Sequence, residues 1–149
     1  MNKVTAVHSI VIQAPPEAVW DYTQNWRNRP QWDWTIVGAE YLSEAQPTVL
    51  QARGLGGMHF KVNYKVSDRP RLTTLVMTEI HHWMVRGGGG SWKYEAVPGG
   101  TRWTQHNTLV LRDGWLGGML RPGTALMLGF VTRSIMGRAK RRVESSLLR

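Results

Sequence analysis

The chain has 149 residues, a length that favours a single domain with a full apolar core. It contains no cysteine, which excludes disulfides and thiolate metal sites and fits a reducing compartment. The formal net charge is +9, but no nucleic-acid-binding motif accompanies it, so the sequence does not favour a nucleic-acid partner.

The first part of the chain predicts a strand followed by two short helices. Lys3 to Gln13 alternates in polarity and is rich in Val and Ile, which is typical of a strand. A proline pair followed by Glu17 suits the first turn of a helix. Asn25 to Trp32, which contains Pro30, predicts a second short helix or turn before the chain returns to the sheet.

Six further strands are predicted before the C-terminal third. They are Thr35 to Ser43, Pro47 to Arg53, Met58 to Asp68, Leu72 to His82, Ser91 to Val97 and Thr101 to Arg112. The third of these alternates most clearly, with an apolar face formed by Met58, Phe60, Val62, Tyr64 and Val66. Because short turns join consecutive strands, we expect an antiparallel sheet.

A run of four glycines, Gly87 to Gly90, precedes the last two strands. It lacks the following Lys-Ser/Thr pair of a phosphate-binding loop, so that interpretation is weak. Glycine weakens a strand interior and permits sharp curvature. The run therefore predicts a bulged or strongly bent strand.

The last third, Gly123 to Arg149, predicts one long amphipathic helix after a connection over Asp113 to Pro122. Its apolar face has three- and four-residue spacing and consists of Leu128, Thr132, Ile135, Ala139, Val143 and Leu147. The apolar stretch Trp115 to Val131 is interrupted and falls short of the roughly 20 residues that span a bilayer. Strands grouped before a final helix predict an α+β domain over residues 1–149.

Cations accumulate near the C-terminus with a single acidic neighbour, Glu144. They are Arg121, Arg133, Arg138, Lys140, Arg141, Arg142 and Arg149. A solvated helix face explains them, since cations also suit the C-terminal end of a helix dipole. Weak contact with an anionic membrane or an acidic carrier protein is the alternative.

The last two strands predict an aromatic wall with two amides set in it. Trp103, Gln105 and Asn107 share one face of the last strand, and Trp92 and Tyr94 share the inward face of the preceding one. Buried amides need partners, so they either bond each other and the backbone or face a ligand. The wall is therefore either a pocket for a polar-decorated ring system or an aromatic core with a satisfied polar network.

Histidines supply the other candidate groups. Glu79 and His81 share a strand face, a geometry that suits an acid/base pair, although a solvated strand end has the same pattern. His8 shares a face with Ile10 and Ile12, as either a core histidine or a ligand contact. The five histidines show no metal-ligand spacing, so no metal site is predicted.

Three motifs, in this order, resemble the START-like helix-grip (SRPBCC) superfamily in its polyketide cyclase/dehydrase branch. They are Ala14-Pro15-Pro16-Glu17-Ala18-Val19-Trp20-Asp21, then Arg29-Pro30-Gln31-Trp32 followed by Val37 to Leu42, and finally Pro98-Gly99-Gly100-Thr101-Arg102. The resemblance implies a curved seven-stranded antiparallel sheet that grips the C-terminal helix, with two short helices closing one end. It also implies a mainly apolar cavity and a protein without metal or organic cofactor.

We therefore expect a protein that binds a small hydrophobic, oxygen-bearing ligand and acts as a cyclase/dehydratase-like enzyme; the alternative is a non-catalytic lipid or hydrophobic-ligand carrier. The predicted catalytic residues are Glu79, His81, Gln105 and Asn107. The predicted ligand contacts are His8, Trp26, Trp32, Trp92, Tyr94 and Trp103. Met1 to Thr5 shows no signal-peptide pattern, and we expect a cytoplasmic protein. We expect it to be a monomer or a homodimer.

Overall fold

The computed structural model describes residues 2–43 and 48–147. Its elements in chain order are β1 (Asn2–Ile12), α1 (Pro16–Thr23), α2 (Arg29–Trp32), β2 (Ile36–Tyr41), β3 (Val49–Gly54), β4 (His59–Asp68), β5 (Leu72–His81), β6 (Val85–Val97), β7 (Gly100–Leu111) and α3 (Trp115–Leu147). Pro47 and Arg149, which bound a predicted strand and the predicted helix, lie outside the described residues.

Within these ranges, seven strands form one curved antiparallel sheet in the order β1-β7-β6-β5-β4-β3-β2. Strands β2 to β7 follow one another as a meander, and β1 pairs with β7 at the far edge. The predicted α+β helix-grip fold, with two short helices after the first strand, is confirmed.

The glycine run lies inside β6, where the ladder to β7 shifts register between Val85 and Gly87. A Cβ added to Gly89 would lie 2.5 Å from the backbone oxygen of Leu75, and one on Gly88 would lie 2.9 Å from that of Thr108. Only glycine allows the neighbouring backbones to approach this closely. The register shift confirms the predicted irregular strand.

The apolar face of β4 ends at Tyr64, one member short of the predicted face. The β4–β5 ladder shifts register between Tyr64 and Val66, and Val66 then pairs with Thr74. An extra residue in one strand moves every later side chain to the opposite face. Val66 is accordingly exposed, and the prediction that it shares a face with Tyr64 is wrong.

Helix α3 begins at Trp115 and not at Gly123, and Pro122 lies inside it. A proline removes one backbone donor, but Leu116 and Leu120 pack against the buried cluster of Met84, Val85 and Leu111, which stabilises the turns before it. The predicted connection over Asp113 to Pro122 is therefore mostly helix. Within the described residues, no helix is both long and apolar enough to span a membrane.

Helix α3 lies mainly along β1 and also contacts β7 and the two short helices. Its buried residues Ile135, Met136, Ala139 and Val143 pack into an aromatic core between helix and sheet. A second core cluster, around Phe60, lies on β2 to β5.

Polar side chains of α3 bond the backbone of β1 on the edge away from β7. Arg121 donates from Nε to the oxygen of Lys3 at 3.0 Å, and Lys140 donates from Nζ to the oxygen of Val11 at 2.9 Å. Just beyond the strand, the backbone N–H of Gln13 donates to Glu144 at 2.8 Å. The helix is thus fixed to the sheet by hydrogen bonds as well as by apolar packing.

Candidate functional site

The inner face of β6 and β7 brings the predicted aromatic wall together. Trp92 pairs with Gln105 and Tyr94 pairs with Trp103 across the ladder. All four side chains are buried, and Asn107 follows them on the same face, half-buried. The alternation of β7 therefore identified which residues point towards α3.

Trp32 of α2 completes a tryptophan cluster, which we define as Trp32, Trp92 and Trp103. The ring centroids lie 5.4 to 5.8 Å apart, and two of the three contacts are edge-on. These distances and angles are those of well-packed aromatic pairs. This part of the aromatic wall is a packed core in which the rings contact one another.

The two predicted amides form a hydrogen-bonded network beside this cluster. Trp92 donates from Nε1 to Asn107 Oδ1 at 3.0 Å. Asn107 donates from Nδ2 to Gln105 Oε1 at 2.7 Å and to Thr132 Oγ1 of α3 at 3.2 Å. A Cβ on Gly90 would lie 3.0 Å from Asn107 Oδ1, so the glycine makes room for the network.

Arg29 of α2 is a buried cation beside the cluster that our sequence analysis did not select as a site residue. Its guanidinium carbon lies 4.3 to 4.7 Å from the ring centroids of Trp26, Trp32 and Trp92. Its Nε donates to Asp33 Oδ2 at 2.8 Å. The available signal was an arginine between tryptophans, with an aspartate four residues later, immediately after the helix.

Four buried side-chain donors have no hydrogen-bond partner among the described residues. They are Arg29 Nη1, Trp32 Nε1, Trp103 Nε1 and Gln105 Nε2. All four belong to the tryptophan cluster or to residues that touch or flank it. Buried donors are usually paired, so the interior here has a surplus of donors over acceptors.

Two predicted ligand contacts, Tyr94 and Trp26, are hydrogen-bonded within the protein. The Tyr94 hydroxyl is hydrogen-bonded to Thr23 Oγ1 at 2.7 Å and to Gln24 Nε2 at 2.6 Å, and burial raises its pKa. Trp26 donates from Nε1 to the Tyr64 hydroxyl at 2.8 Å, and burial raises the pKa of Tyr64 to about 12. These bonds hold α1 and the segment after it against the sheet.

His8 lies on the inner face of β1, where it pairs with Gln105 of β7. The side chain is half-buried. Burial lowers the pKa of His8, and the positive charge of Arg133 lowers it further. The imidazole is therefore neutral near pH 7, and it can act as a base beside the amide network.

Glu79 and His81 lie away from the inner face. Both are exposed, Glu79 at a positive φ of 49°, and its carboxylate pairs with Lys61 at 2.9 Å. His81 pairs across the ladder with His59, which is also exposed. The structure thus does not bring this predicted acid/base pair to the tryptophan cluster.

Next to Asn107 the inner face becomes an apolar surface that is half-buried. Leu75, Met77 and Leu109 supply it. A Cβ on Gly88 would lie 2.9 Å from Met77 Sδ and 3.3 Å from Leu109 Cδ2, so these two side chains meet over a glycine. Across the described part of the chain, no three His, Asp or Glu side chains form a group that would hold a metal ion.

Solved structures share this fold over nearly the whole chain. TTHA0849 from Thermus thermophilus is 18% identical with a TM-score of 0.76, and 97% of this chain covers 98% of that one. The Zhui aromatase/cyclase from Streptomyces sp. R1128 is 18% identical with a TM-score of 0.70, covering 97% and 93%. The chain spans about half of the di-domain ARO/CYC BexL from the BE-7585A biosynthetic pathway, with 95% of it covering 50% of that chain at 19% identity and a TM-score of 0.74.

No curated protein matches the chain. A family model described as "Polyketide cyclase / dehydrase and lipid transport" matches residues 3–144, which is nearly the whole length. The chain therefore belongs to the polyketide cyclase/dehydrase and lipid-transport family.

Proposed function

We propose that this protein binds a hydrophobic, oxygen-bearing small molecule on the inner face of its sheet and acts on it as a polyketide cyclase/dehydratase-like enzyme. Family membership supports the general class. The observation that carries the proposal is the surplus of buried donors around the tryptophan cluster. An unpaired buried donor destabilises a protein by about 1–3 kcal/mol, and an acceptor oxygen would remove that penalty.

A poly-oxo chain carries the acceptors that these donors lack. These donors are buried, so the packed side chains around them would have to separate before ketone oxygens could accept from Gln105 Nε2 and the two indole N–H groups. The Arg29 guanidinium would then stabilise an enolate oxygen. The half-buried apolar surface of Leu75 and Leu109 would hold the hydrocarbon part. The protein would then catalyse by folding and orienting the chain.

His8 is our candidate proton acceptor, since Glu79 and His81 lie on exposed sites. A neutral imidazole beside Gln105 would take a proton from a carbon between two ketones. The resulting enolate carbon would add to a ketone of the same chain, and the alkoxide would regain the proton from His8. Loss of one water from this aldol would give the cyclised product.

The test is turnover of a linear poly-β-keto thioester followed by mass spectrometry. We expect Gln105→Leu to lower kcat/KM by at least about tenfold while the thermal midpoint stays close to wild type, since Gln105 Nε2 has no partner to lose among the described residues. Asn107→Leu should lower kcat/KM as well, and it should also lower the thermal midpoint, because Trp92 Nε1 and Gln105 Oε1 lose their partner. Asn63→Leu is the matched control, because Asn63 Nδ2 also donates to a threonine hydroxyl, Thr78, but on the outer face of the sheet. Equal rates in all three variants and wild type would show that the inner face has no role in catalysis.

A carrier without catalysis is the second candidate. It is favoured by the exposure of Glu79 and His81 and by the half-buried apolar surface around Met77. Mass spectrometry of molecules extracted from the purified protein separates the two candidates. An unaltered bound lipid, with no product from the thioester on long incubation, supports the carrier; a cyclised product supports the enzyme.

A further inference from the structure

Large apolar side chains lie on the solvent-facing side of the first half of α3. We call them the α3 apolar stripe: Trp115, Met119, Leu126 and Phe130, which are 78%, 61%, 78% and 67% exposed. Their spacings of four, seven and four residues place them within about 60° of arc on an α-helix, over a length of about 22 Å. Met127, 53% exposed, lies beside them.

The stripe is not the side of α3 that holds the helix to the sheet. Thr132, Ile135, Ala139 and Val143 are buried and lie on the opposite side. An apolar helix face of this size is normally covered, because contiguous exposed apolar surface marks an interaction site.

Exposed arginines continue the same side of α3 towards its C-terminus. Arg133 lies eighteen residues, or five turns, after Trp115, and Arg141 lies two turns further on. Neither has an acidic partner among the described residues, whereas the neighbouring Lys140 pairs with Glu144 at 2.6 Å. The solvent side of α3 is thus apolar in its first half and cationic in its second.

The cationic half also borders an arginine groove, which we define by Arg138, Arg141, Arg142, Tyr22 and Gln31. Its volume is about 630 Å³. Three guanidinium groups without acidic partners in the described chain present planar donor forks, which suit phosphate oxygens. The groove would accept a phosphoryl headgroup.

We propose that the solvent side of α3 docks on an anionic membrane surface. Trp115, Leu126 and Phe130 enter the boundary between headgroups and acyl chains, and the arginines bind lipid phosphates. Charge favours a membrane over a second copy of the chain as the partner of this surface. A dimer formed through the solvent side of α3 would bring two cationic helices together, and each chain has a net charge of +9. The inference does not depend on which molecule the inner face binds.

Vesicle flotation tests the apolar stripe. Wild type is expected to float with phosphatidylcholine vesicles that contain phosphatidylglycerol, and to float far less with phosphatidylcholine alone. Leu126→Gln combined with Phe130→Gln should weaken binding at least about tenfold without changing the thermal midpoint. The control is Val7→Thr with Val37→Thr, which removes two valines that are 57% and 59% exposed on the outer face of the sheet.

Salt dependence tests the arginines. Arg133→Gln with Arg141→Gln should weaken binding at low salt and reduce its sensitivity to added salt. Arg86→Gln with Arg102→Gln removes the same charge from exposed positions on the sheet and should have a smaller effect. Binding that is equal in both double variants, or insensitive to salt, would overturn electrostatic docking.

A single dye reports whether the stripe enters the bilayer. The chain has no cysteine, and a Cβ on Gly123 would meet nothing within 4 Å, so Gly123→Cys accepts an environment-sensitive label inside the intact stripe. We expect a blue shift on vesicles for this label and none for a label at Val7→Cys. Sedimentation that shows a dimer abolished by Leu126→Gln with Phe130→Gln, without vesicle binding by wild type, would assign the stripe to a second copy and overturn the proposal.

Discussion

Arg29 shows how a charged side chain is kept inside an aromatic core. Three tryptophan faces lie within 4.7 Å of the guanidinium carbon, and Asp33 neutralises its charge from one side. Cation–π contact and a hydrogen-bonded ion pair together offset the loss of hydration. Among the described residues, its Nη1 has no hydrogen-bond partner, and it is one of the donors that support the proposed ligand binding.

Removal of Arg29 should destabilise the fold strongly. We expect Arg29→Met to lower the free energy of unfolding by about 3–5 kcal/mol, because the buried carboxylate of Asp33 would lose its cation and keep only its hydrogen bonds from Thr35. Arg71→Met is the comparison, since Arg71 pairs with Asp68 on the surface, and such pairs contribute only about 0–1 kcal/mol. Urea unfolding measures both; similar losses in the two variants would contradict the buried role of Arg29.

His8 should make stability depend on pH. Its pKa is lowered in the folded state, so between that value and the ordinary 6.5 the unfolded chain binds more protons. The contribution of His8 is therefore present above pH 6.5 and is lost as the pH falls through its folded pKa.

Thermal midpoints at pH 7.5 and pH 5 measure this contribution. We expect His8→Gln to reduce the fall in midpoint between the two pH values, whereas His106→Gln, at an exposed position on β7, should keep it. A fall that is unchanged in His8→Gln would show that His8 is not the titrating group.

At the scale of elements, the glycine run determines how β5, β6 and β7 approach one another. Gly88 lies close to a backbone oxygen of β7, and Gly89 lies close to one of β5. The strands can approach this closely because neither residue has a side chain. The run predicts a bend from its composition alone. The neighbours that require each glycine are not visible in the sequence, because they belong to other strands.

A pair of alanine variants measures this requirement. Gly89→Ala should lower the free energy of unfolding by about 1–3 kcal/mol, since its Cβ would lie 2.5 Å from the oxygen of Leu75. Gly87→Ala, whose nearest neighbour is Val110 at 3.5 Å, should change stability little. Thermal denaturation distinguishes them; the reverse order would contradict the packing described for β6.

Element boundaries were the less predictable part of the chain. Pro122 and the nearby glycines favour a connection, yet Leu116 and Leu120 bury enough apolar surface to extend α3 back to Trp115. The bulge before Val66 likewise depends on pairing with β5. In both cases a tertiary contact outweighs the local pattern.

At the scale of the molecule, the order of elements and the alternation of strands predicted an antiparallel α+β domain and its inner face, and the family resemblance added the curved sheet that grips the last helix. They do not show how the side chains on the inner face pack against other elements. Alternation shows that Trp92 and Trp103 point inward, but only the arrival of Trp32 from α2 shows that the rings contact one another. Arg29 was missed although Trp26, Trp32 and Asp33 lie within four residues of it, because only the fold brings Trp92 from β6 onto its guanidinium and buries all of them.

The three bonds from α3 to β1 also protect the chain from other copies of itself. An edge strand presents free carbonyl and N–H groups that can recruit a strand from another molecule. Arg121 and Lys140 occupy two such carbonyls near the ends of β1, and Glu144 accepts from the N–H of Gln13 just beyond it, so this edge is blunted at both ends. Detachment of α3 would expose the free edge of β1. Strands of other copies could then pair with that edge, and the chains would aggregate as fibres.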